Sequence, residues 1–234
     1  MAEPAQASKQ LKKNYWVVLF FSLAYPGVAL ACLRQWRAAN PWSHLDFFSG
    51  GYLAVSLLWI AADTRWHKVI FRSAETLKEA SGASYDPWLL RWITVFAVAE
   101  LTVFLDYGHW CLVPALVQPA LQATGVALCF LGGLWLVWTD SYLARHFASD
   151  PAVRKLINEG PYHYIRHPRY AAVLVSRIAL ALSLASVLGW VLALSWLLLI
   201  LRRIRLEEAH LRELFAADYD AYAARTACLL PCIY

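Results

Sequence analysis

The chain predicts an all-α protein: a polytopic transmembrane helix bundle of about six spans that includes a C-terminal helical hairpin, followed by a C-terminal amphipathic helix. Three observations carry this reading. Hydrophobic residues make up 60% of the 234 positions and charged residues only 16%, with a mean hydropathy of +0.46, whereas soluble domains carry nearer a quarter charged residues. Apolar runs of about span length recur along the chain. The lysines and arginines collect in the short segments between those runs.

Residues 1–14 are polar and carry Lys9, Lys12 and Lys13, and residues 15–33 are apolar. A secretory leader starts in the same way, and Ala29-Leu30-Ala31-Cys32 loosely imitates a lipoprotein cleavage site. The run is nevertheless of span length, so it is expected to remain as the first span, kinked at Pro26-Gly27. A second span is expected over 45–62, with Trp42 and Trp66 at interface depth. Gly50-Gly51 either admits a close neighbour or is simply tolerated there. The polar segment 63–87 contains the helix-ending Ser81-Gly82-Ala83-Ser84 and leads to Asp86-Pro87, which opens the next element.

The third span is expected over 88–107 and the fourth over 116–139, after a connection marked by Pro114 and Pro119. A basic loop, 140–169, follows. The apolar stretch 171–201 is too long for one span, and small residues at 183–189 suit a tight turn. It therefore reads as two antiparallel helices, the first of them short.

Loop charge orients the bundle. The N-terminus, 63–87, 140–169 and the tail after Leu201 hold 3, 4, 5 and 5 basic residues, or 17 together, while the opposite side holds only Arg34 and Arg37. By the positive-inside rule both termini and the segments around 140–169 and 202–225 face the cytoplasm. The net charge of +5 is thereby explained by topology and contact with anionic membrane lipids, and nucleic-acid binding is not expected. Cys32, Cys111, Cys129, Cys228 and Cys232 show no zinc-site spacing, so no metal site is expected and the cysteines read as small apolar residues. Cys232 stands one place too late for a prenylation box. There is no internal repeat, Walker motif or GxGxxG loop.

Two stretches carry the chemistry. Gly160-Pro161-Tyr162-His163-Tyr164-Ile165-Arg166-His167-Pro168-Arg169-Tyr170 crowds aromatic, imidazole and guanidinium groups ahead of the hairpin. Pro168 disfavours helix at His167 and suits a helix start, so a loop is expected to feed a new helix there. That helix's free N–H groups, Arg166 and His167 would form an anion-binding corner. Read alone, the motif serves equally as a belt at the lipid headgroups. In the second stretch, Arg203-Ile204-Arg205-Leu206-Glu207-Glu208, Arg203 and Glu207 share a helix face, and Glu208 lies about 100° further round. Charges at a membrane boundary are costly unless partnered. Paired carboxylates suit a cationic ligand, and an arginine suits a carboxylate.

The ordered set GPYxYxRHPxY, apolar hairpin, RxxxEE and amphipathic ending, over roughly the last 75 to 90 residues, resembles the isoprenylcysteine carboxyl methyltransferase family and its bacterial relatives. The resemblance implies an integral membrane methyltransferase of the bacterial inner membrane that uses S-adenosylmethionine. It implies an N-terminal scaffold on the acceptor side, 1–115, and a methyltransferase core, 116–234. Tyr164, His167, Pro168, Tyr170, Glu207 and Glu208 would bind the cofactor, and Arg203 with Glu207 would serve catalysis. The acceptor is a lipophilic or prenylated molecule or a small thiol, and oligomeric state is open. Ala172 and Ala216 stand where many relatives have glycine.

Glu100 and Arg177 lie within spans, where isolated charge is costly. They are expected either to pair or to line the acceptor's path as substrate-binding residues. Asp63, Asp106 and Asp140 read as boundary residues and His146 as a surface histidine. Two other functions fit some of the features: an NADPH-dependent sterol-reductase-like enzyme, which shares an RHPxY-like segment, and a non-catalytic lipid-binding membrane protein.

Overall fold

The computed structural model describes residues 50–59, 61–62, 91–92, 95–96, 98–100, 102–104, 106, 117–149 and 156–230. The expected first span, the segment 63–87, the connection at Pro114, and Cys32, Cys111 and Cys232 lie outside the described residues. Among the described residues regular structure is helical, apart from one isolated parallel bridge between Ile165 and Ala227. Four helices organise the C-terminal half: α1 (Gln118–Ser149), α2 (Pro161–Tyr164), α3 (Pro168–Ser183) and α4 (Val187–Arg225). The helical stretch Gly50–Trp59 falls in the expected second span. Residues described between 91 and 106, mostly helical, fall in the expected third.

Helices α1 and α4 are long and apolar enough to cross a membrane. Leu131 and Leu134 on α1, with Val191, Leu194 and Leu198 on α4, stay exposed, as side chains facing lipid would. α1 starts near its expected position but does not stop at Thr139. Its sequence contains no proline between Pro119 and Pro151, so nothing breaks the helix where the charge pattern suggested a loop. Asp140 is fully buried and pairs with Arg169 Nε at 3.0 Å. That pairing removes the reason to read it as a solvent boundary.

The hairpin forms as its small residues predict. α3 ends at Ser183, α4 starts at Val187, and the turn is closed by Ala185 N–H to the Leu182 carbonyl at 3.0 Å and Ser186 N–H to the Ala181 carbonyl at 3.0 Å. Ser186 caps α4 by accepting Gly189 N–H at 3.1 Å. Asp106, from the stretch expected to be the third span, in turn accepts the Ser186 hydroxyl and the Leu188 N–H. It is therefore a buried cap on the turn rather than a boundary residue.

α1 lies along α3, and α3 packs on α4. A side chain at Gly125 would strike the Ser183 backbone, so glycine there sets how closely α1 approaches α3. Tyr52, Phe104, Cys129, Leu180 and Leu192 form the buried core between these helices and the N-terminal ones. Because α3 and α4 are antiparallel, the start of α3 and the charged part of α4 come to one end of the hairpin. This is what assembles the site.

Candidate cofactor site

Gly160 opens the motif with φ 60, a left-handed conformation, and a Cβ there would meet the Tyr142 ring at 2.6 Å. After the single turn of α2, Ile165–His167 extends alongside the chain's C-terminal segment. Arg166 N–H bonds to the Ala227 carbonyl at 2.8 Å, and His167 N–H to the Cys228 carbonyl at 3.1 Å. Pro168 then starts α3, buried, and its carbonyl accepts Trp135 Nε1–H from α1 at 3.0 Å. The loop and the helix start at Pro168 are thus where the sequence reading put them, with α2 added.

The second motif lies on α4 beyond its apolar part, which ends at Leu201. At Ala216 the backbone leaves helical geometry, with φ 43 and ψ −119. Past that bend the helix returns to the first motif. Tyr222 donates its hydroxyl to the Tyr162 carbonyl at 2.6 Å, and Arg166 Nη1 donates to the Ala223 carbonyl at 2.9 Å and to the Thr226 carbonyl.

The two glutamates point different ways. Glu207 stays exposed and accepts the Tyr170 hydroxyl at 2.7 Å, while Arg203 Nε donates to that same hydroxyl at 2.5 Å. Arg203, Tyr170 and Glu207 thus form one chain of hydrogen bonds between α4 and α3. The Tyr170 ring also stacks on His167, with centroids 5.6 Å apart.

Glu208 turns inward. Its Oε1 receives Arg166 Nε at 2.9 Å, His167 Nε2 at 3.3 Å and Cys228 Sγ at 3.8 Å, and its Oε2 receives Arg212 Nη2 at 3.4 Å. Burial alone would raise the Glu208 carboxyl, but the hydrogen bond and charge of Arg166, aided by His167, hold it below the ordinary carboxylate range. Burial lowers the His167 imidazole despite both glutamates beside it. The ring is therefore neutral near pH 7 and donates its Nε2–H to the carboxylate. Burial, then the Glu208 charge, raise the Cys228 thiol, which stays protonated and donates as well.

The expected residues therefore separate into groups. Half-buried Arg203 and Tyr170 lead to the exposed Glu207 in one polar chain; His167 and Glu208 belong to a buried knot beside it. Arg166 does not face outward as an anion site. It is turned inward because the returning end of α4 offers its guanidinium a carboxylate and two carbonyls. Tyr164 is exposed and packs on Trp138 of α1 at 6.3 Å, away from Glu207 and Glu208. Arg177 and Glu100 meet as an ion pair, with the guanidinium 4.8 Å from the Trp196 ring. His146 stacks on Tyr142 at 5.8 Å and, with Arg145 and Glu159, lines an open cavity of about 430 Å³. Cys228 was invisible to the sequence reading as part of this cluster, since only the bend at Ala216 returns it to His167.

One protein family matches part of the chain. Residues 120–218, somewhat under half of the chain, match the family model described as PEMT, phospholipid methyltransferase. That segment spans α1, the RHPxY motif, the hairpin and the RxxxEE motif. The matched family is one of the isoprenylcysteine carboxyl methyltransferase type of membrane methyltransferases. No curated protein matches the chain.

Proposed function

We propose that the protein transfers a methyl group from S-adenosylmethionine to a lipophilic acceptor at the cytoplasmic face of the membrane. The observation that carries this reading is the hydrogen-bonded chain Arg203–Tyr170–Glu207, which ends in an exposed carboxylate at the open end of the hairpin. Glu207 supplies a carboxylate for the cofactor's ammonium or sulfonium, while Tyr170, locked between Arg203 and Glu207, orients it. Arg203, at the apolar end of the chain, faces the side from which a bilayer-borne acceptor enters and directs the acceptor's polar head. Glu208 and His167 support the site from behind, since the oxygens of Glu208 already serve four donors.

The reaction is an in-line displacement. A lone pair on the acceptor forms the new bond to the methyl carbon as the carbon–sulfur bond breaks, and S-adenosylhomocysteine leaves as a neutral thioether. Catalysis then rests on alignment and on protein charge matched to the dispersing sulfonium. A carboxylate acceptor needs no base, whereas a thiol or ammonium must first lose a proton, for which Glu207 is the nearest exposed carboxylate. The lipid-facing surfaces of α1 and α4 and the excess of loop arginines support a site at the cytoplasmic boundary.

Calorimetry on the detergent-solubilised full chain tests the reading. S-adenosylhomocysteine should bind with 1:1 stoichiometry and NADPH should not. NADPH binding without S-adenosylhomocysteine binding would replace the methyltransferase reading with the reductase one.

A further inference from the structure

The bend at Ala216 brings together three side chains of metal-binding type from distant parts of the sequence. His167 Nε2, Glu208 Oε1 and Cys228 Sγ all lie within 4.8 Å of one another, and all three residues are buried. The nitrogen and sulfur stand 3.3 Å and 3.8 Å from the same carboxylate oxygen. A tetrahedral zinc ion bound about 2.0 to 2.3 Å from N, O and S ligands spaces those ligands roughly 3.3 to 3.5 Å apart. The two carboxylate edges need only sub-ångström adjustment, and closing the nitrogen-to-sulfur edge, within 4.8 Å, takes a rotation of the Cys228 side chain toward His167.

We propose that His167, Glu208 and Cys228 bind one zinc-class divalent cation, with the fourth position left to water or a small ligand. The ion takes the place of two of the three hydrogens now directed at Glu208 Oε1, those of His167 and Cys228. The His167 proton moves to Nδ1, so the neutral ring keeps its charge and gives Nε2 to the metal. The Cys228 thiol forms a metal–sulfur bond and releases one proton. Glu208 keeps Arg166 on Oε1 as an outer partner, which orients the carboxylate and weakens its hold on the ion. A neutral imidazole, a carboxylate and a thiolate make a mixed donor set that suits zinc or cobalt and not magnesium or calcium. The ion would pin the returning C-terminal segment to the first motif, so its binding is a property of the folded cluster and not of cysteine spacing. The proposal is independent of the methyltransferase reading.

Titration of the metal-stripped, detergent-solubilised full chain with cobalt(II) tests it. One equivalent should produce intense near-ultraviolet thiolate-to-cobalt absorption with tetrahedral visible bands, and zinc should abolish both. Cys228→Ser should remove the near-ultraviolet band and weaken binding roughly tenfold or more, whereas Cys232→Ser should leave both unchanged. A readout free of variants uses the native chain: zinc should protect Cys228 from alkylation, located by mass spectrometry, while the other cysteines react as before. Absence of a 1:1 cobalt complex, a band that survives Cys228→Ser, or alkylation of Cys228 indifferent to zinc would each overturn the proposal.

Discussion

Glu207 and Glu208 are neighbours in sequence and opposites in environment. Glu207 is exposed and receives one phenolic hydroxyl, that of Tyr170, while Glu208 is buried beneath Arg166, His167, Cys228 and Arg212. One helical step of about 100° separates them, and the bend at Ala216 supplies the partners that make the second one internal. Glu208→Gln should therefore lower thermal stability, because Arg166 keeps its burial and loses its counter-ion. The loss should be on the order of 2 to 4 kcal/mol. Glu207→Gln should leave the unfolding temperature nearly unchanged in the same assay.

The depressed Glu208 carboxyl makes part of the stability pH-dependent. A group whose folded pKa lies below its unfolded value contributes fully above the unfolded value, and that contribution disappears as pH falls through the folded one. The stability gap between the native chain and Glu208→Gln should thus be constant near neutrality and shrink progressively on acidification below the ordinary carboxylate range. Chemical denaturation at a series of pH values reads this directly; a gap that widens in acid would refute the assignment.

Arg177 of α3 and the buried Glu100 form a charge pair, and the Arg177 guanidinium lies over the Trp196 ring of α4. Replacing either by Ala leaves the half-buried Arg177 or the buried Glu100 without its counter-ion, which should lower stability by up to about 3 kcal/mol. The double replacement should cost clearly less than the sum of the two. A double-mutant cycle on detergent-solubilised protein checks this, and strict additivity would mean that the pair carries no coupling.

Ala216 holds φ 43 and ψ −119, a region that an L-residue with a Cβ adopts only under strain. Ala216→Gly should stabilise the protein by about 1 kcal/mol, since relief of this strain exceeds the extra entropy of glycine in the unfolded chain. Ala216→Val should destabilise it and loosen the C-terminal segment, visible as faster alkylation of Cys228.

The sequence revealed most where one element carries its own signal. Pro168 announced the start of α3, the small residues at 183–189 announced the hairpin turn, and the spacing of Arg203 and Glu207 announced a shared face. It misled where distant segments decide the matter. Asp140 and Asp106 looked like span ends because their partners, Arg169 and Ser186, are supplied by packing. Arg166 looked like an anion ligand because nothing local shows that the end of α4 returns to it. The one available hint was Ala216, at a position where relatives favour glycine: a residue demanding positive φ marks a change of direction, and that change creates the knot around Glu208.

The most direct test of the account is the affinity for S-adenosylhomocysteine, measured by calorimetry in the native chain and in Glu207→Gln, Tyr170→Phe and Arg203→Lys. Loss of the exposed carboxylate should weaken binding roughly ten- to a hundredfold. Loss of the phenolic hydroxyl should weaken it less. Arg203→Lys should leave affinity nearly intact while lowering turnover with a lipophilic acceptor, because the planar guanidinium is needed there to orient the acceptor. Undiminished affinity in Glu207→Gln and Tyr170→Phe alike, with both proteins folded, would contradict the account and leave the Arg203–Tyr170–Glu207 chain as membrane-interface scaffolding.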